Sequence, residues 1–520
     1  MRFFTIGMAV AAYRNLSTNG FSKPLYISSY AKCKNKTTTE RKHQRGPRIQ
    51  WTEEQKSVLS AVKEGNCVFI TGSAGTGKTK LLTEVVNLLR KLHTKSKVFV
   101  TASTGVAAFA IRGQTLHSFA GIHPPFDVPE KLVKGILSNK RASRRWKKVK
   151  ALVVDEIGMV DARLFDNLEF IARKLRGVSE TWGGIQLVVV GDFCQLPPIT
   201  YKSEVVSYAF EADCWNESFD LQIELTRIFR QSDPRFIELL QRIRMGESDH
   251  SDLLFLEKYC SKSEIDPSAV QLFPRKNKVM EVNEKKLRSL QKDIIVYRAV
   301  DNGEEPWKSQ LKHGIAPDEL SICVGARVML VKNLHTWKGL VNGATGTVVE
   351  LKVGDFDGLC SDNLLPVVKF DKGKEFLIGP EEWHVMDGDV VVACRKQIPL
   401  SLAWAMSIHK CQGMTIDKAY IDLKGTFAPG MVYAAISRVT SLEGLHISGF
   451  SPSDIQVDRK VSKFYRDSAL QRNSKDLDNS CIERNDGSSS ITGDSKKAST
   501  SETKYYFSLA DFLAKRMKRS

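Results

Sequence analysis

Three glycines, a lysine and two threonines crowd into eight residues, GSAGTGKT from Gly72 to Thr79. Residues of these types at this spacing bind phosphate. Gly72, Gly75 and Gly77, with Ser73, Ala74 and Thr76 between them, let backbone amides converge on a β-phosphate. Lys78 then reaches the β/γ oxygens, and the Thr79 hydroxyl can ligate magnesium at a helix N-terminus. Such a loop alone suits kinases, GTPases and ATPases alike, and a second acidic motif narrows the field. In KALVVDEIGMV the apolar run Leu152 to Val154 precedes Asp155, placed to hold magnesium, and Glu156, a candidate general base for water. Adjacent carboxylates after an apolar strand point to NTP hydrolysis; with the loop upstream, a mere helix-capping pair explains them less well. Beyond a further strand, LVVVGD, the run DFCQLPP puts Asp192 and Gln195 where a polar side chain can sense a γ-phosphate. LTRIFRQ and AISRVTSLEGL offer Arg230 and Arg438, whose guanidinium forks suit the spread charge of a phosphoryl-transfer transition state. Alone, neither arginine would stand out from surface or ion-pair arginines.

The elements that must hold these groups are those of an α/β protein. CVFITGSAGTGKTKLLTEVVNLLRKL reads as an apolar strand, a glycine-rich turn and an amphipathic helix, and strand-like and helix-like segments alternate from near Trp51 to about Tyr465. After the acidic pair, Leu164, Leu168, Ile171 and Leu175 recur at helical spacing, so this helix buries one face and those residues are core. TASTGVAA, TLHSFAGI and WAMSIHKCQG mix small polar and aromatic residues next to strands, where loops leave one face of a sheet. Such loops suit a nucleic-acid single strand: Thr104 and Gly105 through backbone amides; His117, Ser118 and Phe119 by bonding or stacking; Ser407, His409 and Lys410 by holding the backbone. A lone histidine in such a segment is ordinarily a structural residue. NGATGTVVEL, PVVKF, KEFLI and DVVVA read as short strands of a small β-barrel, about 335–395. Lys131, Lys134, Lys140, Arg141, Arg144, Arg145, Lys147 and Lys148 form a basic stretch that fits either phosphate contact or a solvated helix.

A chain of 520 residues needs several domains, and it has no apolar run of the roughly 18–20 residues that span a bilayer. The net charge is +18, but residues 1–50 hold ten Lys/Arg against Glu40 alone, so half the excess lies outside the expected core. Residues 1–45 resemble a mitochondrial presequence or, alternatively, form a basic arm for DNA or a nuclear importer, which leaves mitochondrial and nuclear locations both open. The ten cysteines show no zinc spacing and no disulfide framework, which fits a reducing compartment. Residues 451–520 are expected to form a polar linker and a basic tail, ending in YYFSLADFLAKRMKRS, either a partner-binding helix or a frayed end.

In order and wording these segments resemble the Pif (petite integration frequency, or Pif-one) family of DNA helicases, in superfamily one, B group, related to bacterial RecD. The likeness runs from EEQ at Glu53 to Gln55 through GSAGTGKT, TASTGVAA, TLHSFAGI, VVDEIGM, VVGDFCQLPP and LTRIFRQ. It continues in GARVMLVKNL, LSLAWAMSIHKCQGMT and VYAAISRVTSLEGL, covering about Trp51 to Gly449. The resemblance implies tandem RecA-like motor domains over 46–225 and 226–450, with a wedge insert at about 120–148 and a Src-homology-three-like β-barrel. It also implies that Gln55 reads adenine, that Gln195 contacts the γ-phosphate, and that Arg230 and Arg438 complete the site from the second motor domain. His117 and His409 become DNA contacts on this ground alone. The implied activity is 5′-to-3′ translocation on single-stranded DNA, powered by ATP and magnesium, with unwinding of forked duplex or structured DNA such as G-quadruplexes. Replication, repair, recombination or telomere maintenance would be its setting, and a monomer its state in solution. The rival class is a DNA-binding clamp with a weak ATPase.

Overall fold

In the computed structural model, described residues run from 50 to 467 except 123–127, 200–204, 261–265, 267, 306, 313–315, 336–337, 339, 355–358, 361–362, 372, 374, 388–389 and 450–453. The expected targeting segment at 1–45 and the tail beyond 467 lie outside them.

Six strands form the first sheet: β1 (Val68–Gly72), β2 (Val98–Ala102), β3 (Gln114–Thr115), β4 (Ala151–Asp155), β5 (Gln186–Val190) and β6 (Leu221–Leu225). All pairs are parallel, in the order β3-β2-β4-β5-β1-β6. Strands such as VFITG, ALVVD and QLVVV are buried at every position, as a parallel sheet covered on both faces requires. Because β4, β5 and β1 lie side by side, Asp155 at the end of β4, Asp192 just past β5 and the loop after β1 emerge at one carboxyl edge. That edge is where open α/β sheets bind ligands.

Helix Lys78–Leu92 buries Leu81, Leu82, Val85, Val86 and Leu89 against the sheet. Helix Ala162–Arg176 starts on an Asp161 cap that accepts from the Leu164 amide at 2.8 Å. It buries Leu164, Leu168, Ile171 and Leu175 as its spacing predicts, beside an aromatic cluster of Phe165, Trp182 and Trp215. The basic stretch forms helices Pro129–Ser138 and Lys140–Lys148. It is not uniformly solvated: Trp146 is buried and donates to the Ala120 carbonyl, while Arg145, also buried, donates to the carbonyls of Ser118 and Phe119.

A second parallel sheet orders Ala405–Ser407, Val270–Phe273, Ala419–Asp422 and Leu445–Ser448. The chain between its first two strands holds antiparallel strands around their own core, which includes Tyr297, Val348, Val368 and Leu400. They pair as sheets of five, three and two strands, beginning at Ile295 and ending at Leu402, well beyond the expected 335–395. The antiparallel insert thus extends on both sides of its turn-rich centre.

Residues 451–520 are assigned to a linker and tail, but 454–467 belong to the folded part, in line with order reaching about Tyr465. A helix at 459–467 buries Val461 and Tyr465 in the same core as Phe69 and Trp215.

Candidate active site

Thr52 and Gln55 form a capping box that starts helix Glu53–Glu64, and the same Gln55 side chain donates to the Thr76 carbonyl at 3.4 Å. This fixes Gln55 beside the phosphate loop. Two of the loop's glycines have no tolerable substitute. Gly72 has φ 143° and a Cβ there would sit 2.5 Å from the Leu225 carbonyl oxygen; Gly75 has φ 87° and a Cβ would meet Arg230 Cβ at 2.8 Å. Inside the loop, the Thr76 hydroxyl donates to the Ser73 carbonyl at 2.9 Å. Lys78 Nζ donates to the carbonyls of Gly72 (2.6 Å) and Ser73 (3.0 Å), and burial pulls its ammonium below the usual lysine range. The Thr79 hydroxyl is exposed at the first turn of helix Lys78–Leu92. Ala74 departs from the expected amide cradle, since its N–H donates to the Tyr433 hydroxyl of the second lobe at 2.8 Å.

Asp155 and Glu156 face this loop. Burial first, and Glu156 next, push the Asp155 carboxyl up; burial also raises Glu156, against the pull of Lys78 and Arg438. Glu156 adopts φ 54° and ψ 48°, a left-handed backbone that costs a non-glycine residue about 1–3 kcal/mol. Ser103 offsets part of this by donating its hydroxyl to the Glu156 carbonyl at 2.8 Å. The Glu156 carboxylate accepts from Gln412 Nε2 at 3.0 Å.

Past β5, Asp192 accepts from Gln195 Nε2 at 3.2 Å, and Gln195 Oε1 accepts from Arg438 Nη2 at the same distance. Gly430 makes this closeness possible, because a Cβ there would fall 2.2 Å from the Gln195 carbonyl oxygen. Arg230 is expected from the second motor domain but leaves β6 directly, with Phe229 N donating to the Gly75 carbonyl. Its guanidinium then reaches across, donating to the Ser437 carbonyl (2.9 Å) and Thr415 Oγ1 (3.1 Å). Burial, and Arg438 beside it, push Arg230 down to about 9. The structure therefore gathers Gln55, the loop, Asp155, Glu156, Gln195, Arg230 and Arg438 into one cleft.

A model described as PIF1-like helicase matches residues 50–253, and one for the 2B domain of DNA helicase Pif1 matches 308–351. The ATP-dependent DNA helicase PIF1 of Danio rerio is 41% identical over 420 residues, covering 80% of this chain and 63% of that protein. The human protein of that name is 39% identical with the same coverage. This chain thus spans slightly less than two thirds of the curated relatives' length. The crystal structure of Pif1 helicase from Candida albicans is 39% identical, with a TM-score of 0.65, covering 81% of this chain and all of that one. This chain belongs to the PIF1-like helicase family. A Bacteroides Pif1 solved with ADP-AlF4 is 30% identical with a TM-score of 0.69, over 82% of this chain and 98% of that one.

For a PIF1-like chain, the expected nucleic-acid residues divide by exposure. Thr104 and Gly105 are half-buried at the start of helix Gly105–Ala110, with Thr104 Oγ1 accepting from the Ala107 amide. His117 is half-buried. Phe119 is not available for stacking: it is fully buried between Phe99 and Trp146, with ring centroids at 5.2 and 4.9 Å. Ser118 is buried too, its hydroxyl accepting from Gln310 Nε2 of the insert at 2.6 Å. Ser407 is buried and shapes a turn, its carbonyl accepting from the amides of Lys410 and Cys411. That turn presents Lys410, exposed, and His409, half-buried.

Four residues escape a reading by motif. Phe427, 56% exposed, lies parallel to the His409 ring at 6.0 Å, with Arg275 over its face. Phe229 is half exposed beside Gly77 and Gln55. Arg244 is buried and pairs with Asp192 and Glu224. Tyr465 bonds to both Thr71 and Asp192. An exposed phenylalanine in a Gly/Pro-rich loop was a usable signal for Phe427; Arg244 and Tyr465 lie in ordinary amphipathic helices and carry none.

Proposed function

We propose that this chain is an ATP-driven motor that moves 5′-to-3′ on single-stranded DNA and separates duplex or structured DNA ahead of it. One observation carries the reading. Glu156, the candidate base, is held by both candidate nucleic-acid loops at once: Ser103 of TASTG on its carbonyl, Gln412 of HKCQG on its carboxylate. A strand seated on those loops acts on the base through one hydrogen bond from each lobe. That is the physical form of a DNA-stimulated ATPase.

In the proposed cycle Lys78 exchanges the carbonyls of Gly72 and Ser73 for β/γ-phosphate oxygens. Glu156 takes the proton of the attacking water, and its raised pKa makes it a stronger base. Gln195 orients the γ-phosphate, while Arg230 and Arg438 stabilise charge on the equatorial oxygens. Magnesium fits the donor set, since a hydroxyl and a carboxylate are the hard oxygen ligands this cation takes. Thr79 and Asp155 would hold it, where it neutralises phosphate charge. Loss of the γ-phosphate frees Gln195 and Arg438 to part, so hydrolysis becomes a change in lobe spacing. The motor halves are assigned to 46–225 and 226–450, although Arg230 and Arg244, just past that boundary, stay with the first sheet, and the basic helices form the wedge beside a forked substrate.

The test is ATPase activity with and without single-stranded DNA at low salt, then unwinding of duplexes bearing a 5′ or a 3′ tail. Absence of stimulation would favour the clamp with a weak ATPase; preference for the 3′ tail would reverse the polarity. Among the described residues no helix is long and apolar enough to cross a membrane. Mitochondrial or nuclear residence is tested by a fluorescent fusion with and without residues 1–45, and retained mitochondrial import without them would remove the presequence reading.

A further inference from the structure

The helix at 459–467 leaves the second lobe and lays Tyr465 beneath the nucleotide site of the first. The Tyr465 hydroxyl has Thr71 Oγ1 at 2.7 Å, the Phe193 amide at 3.1 Å and Asp192 Oδ1 at 3.3 Å. The direction of each bond follows from counting protons. Burial pushes the Asp192 carboxyl up, but Arg244 and Lys78 outweigh it and hold the group ionised, so Asp192 only accepts. Tyr465 therefore donates to Asp192. The Phe193 N–H can only donate, so Tyr465 accepts there, and its other lone pair takes the Thr71 proton. All three of the hydroxyl's bonding directions are filled.

These partners matter because of where they sit. Thr71 is the residue before Gly72, at the mouth of the phosphate loop. Asp192 accepts from Gln195 Nε2 at 3.2 Å, and Gln195 leads on to Arg438. Arg244 steadies the other side, donating to Asp192 from Nη2 at 3.1 Å while its guanidinium lies 4.6 Å from the centre of the Tyr465 ring. We propose that Tyr465 is a positioning residue for hydrolysis, setting the Asp192–Gln195 pair in register with the phosphate loop and tying that register to the segment that follows the second lobe. This rests on the ATPase reading above.

The role belongs to one hydroxyl, so the test compares Tyr465→Phe with Tyr208→Phe in the full chain. Tyr208 is also buried and donates its hydroxyl proton to Asp458 Oδ2 at 3.3 Å on the same returning segment, so that proton does not go to Asp192 or Gln195. Tyr465→Phe is expected to lower the DNA-stimulated kcat by about tenfold or more while KM for ATP stays within roughly twofold. Affinity for ADP with aluminium fluoride should fall with kcat, and affinity for ADP alone should hold. Tyr208→Phe should leave kcat within about twofold of the natural chain. Equal losses in both variants would mean that the segment merely needs tethering, and an unchanged kcat in Tyr465→Phe would equally overturn the role. Should Tyr465→Phe fail to fold, Thr71→Val keeps the aromatic ring packed and must show the same kcat-selective loss; unaltered kcat there also overturns the proposal. A natural chain with no stimulated hydrolysis would refute the ATPase reading and this role with it, whereas a normal natural chain beside a normal Tyr465→Phe refutes the role alone.

Discussion

Replacing Arg244 by methionine isolates the buried charge cluster behind the nucleotide site. Arg244 is 1% exposed and donates to Asp192 Oδ1 from Nε (3.3 Å) and Nη2 (3.1 Å), and to Glu224 Oε1 from Nη1 (3.2 Å). Both carboxylates are themselves buried. Methionine fills much of the volume but removes the guanidinium that two buried acids share, and removing one partner of a buried pair costs about 3–5 kcal/mol. Asp192 keeps hydrogen bonds from Tyr465, Gln195 and the Cys194 amide, which favours the lower half of that range. The pH dependence has a definite sign. With Arg244 present the folded pKa of Asp192 is depressed, so its contribution is complete above the unfolded value and lost as pH falls. Without Arg244 only Lys78 and the remaining hydrogen bonds oppose burial, so that pKa moves up from its depressed value, and the variant's deficit is largest at neutral pH and shrinks on acidification toward about pH 4. Denaturant titration followed by tryptophan fluorescence, to which the buried Trp146, Trp182 and Trp215 of the first lobe contribute, measures the loss. Adding Asp192→Asn and Glu224→Gln removes both acidic charges and should recover most of the loss. A deficit under about 1 kcal/mol at neutral pH, or no recovery in the triple variant, would refute the account.

Lys78→Ala should reduce hydrolysis by about a hundredfold or more, because the phosphate charge loses its fixed cation; near-normal turnover would displace the loop from the mechanism. Glu156→Gln should bind nucleotide normally and hydrolyse it about 10²–10⁴ times more slowly, as single-turnover rates would show. Phe427→Ala should weaken single-stranded DNA binding by about 1–3 kcal/mol in fluorescence anisotropy, the worth of one stacked base, and unchanged affinity would remove it from the track. Phe119→Ala should instead destabilise the chain by about 3–5 kcal/mol, the folded fraction binding DNA as before; a selective loss of DNA affinity would restore it as a contact.

The contrast between these two phenylalanines shows what was legible in the chain and what was not. Each lies in a short segment of small and polar residues, and composition alone treats both as loop aromatics. Burial of Phe119 is decided by Trp146, on a helix whose charge conceals its apolar side, and by Phe99 on β2. Ser118 is likewise covered by Gln310, far along the chain in the insert. The loop, the acidic pair and the helix Ala162–Arg176 were readable because their signals are local: turn glycines, an apolar strand, a helical repeat. Arg244 and Tyr465 were not, since what distinguishes them is a partner some 52 or 273 residues away. Gly430 makes the same point at the backbone: its necessity appears only when the Gln195 carbonyl is seen against it.

Such distant contacts also bound how the lobes can move. Around the cleft the second lobe touches the first through Tyr433 on the Ala74 amide, Arg438 on Gln195, Gln412 on Glu156, Ser437 and Thr415 under Arg230, and Ser437 and Val439 under Gln231. At a net of about 0.5–1.5 kcal/mol for each hydrogen bond, together they hold the cleft shut by about 3–10 kcal/mol. Inverting a two-state population from about 1:99 to 99:1 takes about 5.5 kcal/mol, the same order. A nucleotide that competes for most of these groups can therefore tip the balance, provided the contacts break together. They should, because Arg438 lies just past the short helix Met431–Ile436 that carries Tyr433 and donates from Nε to that helix's Ala434 carbonyl, so the two withdraw together.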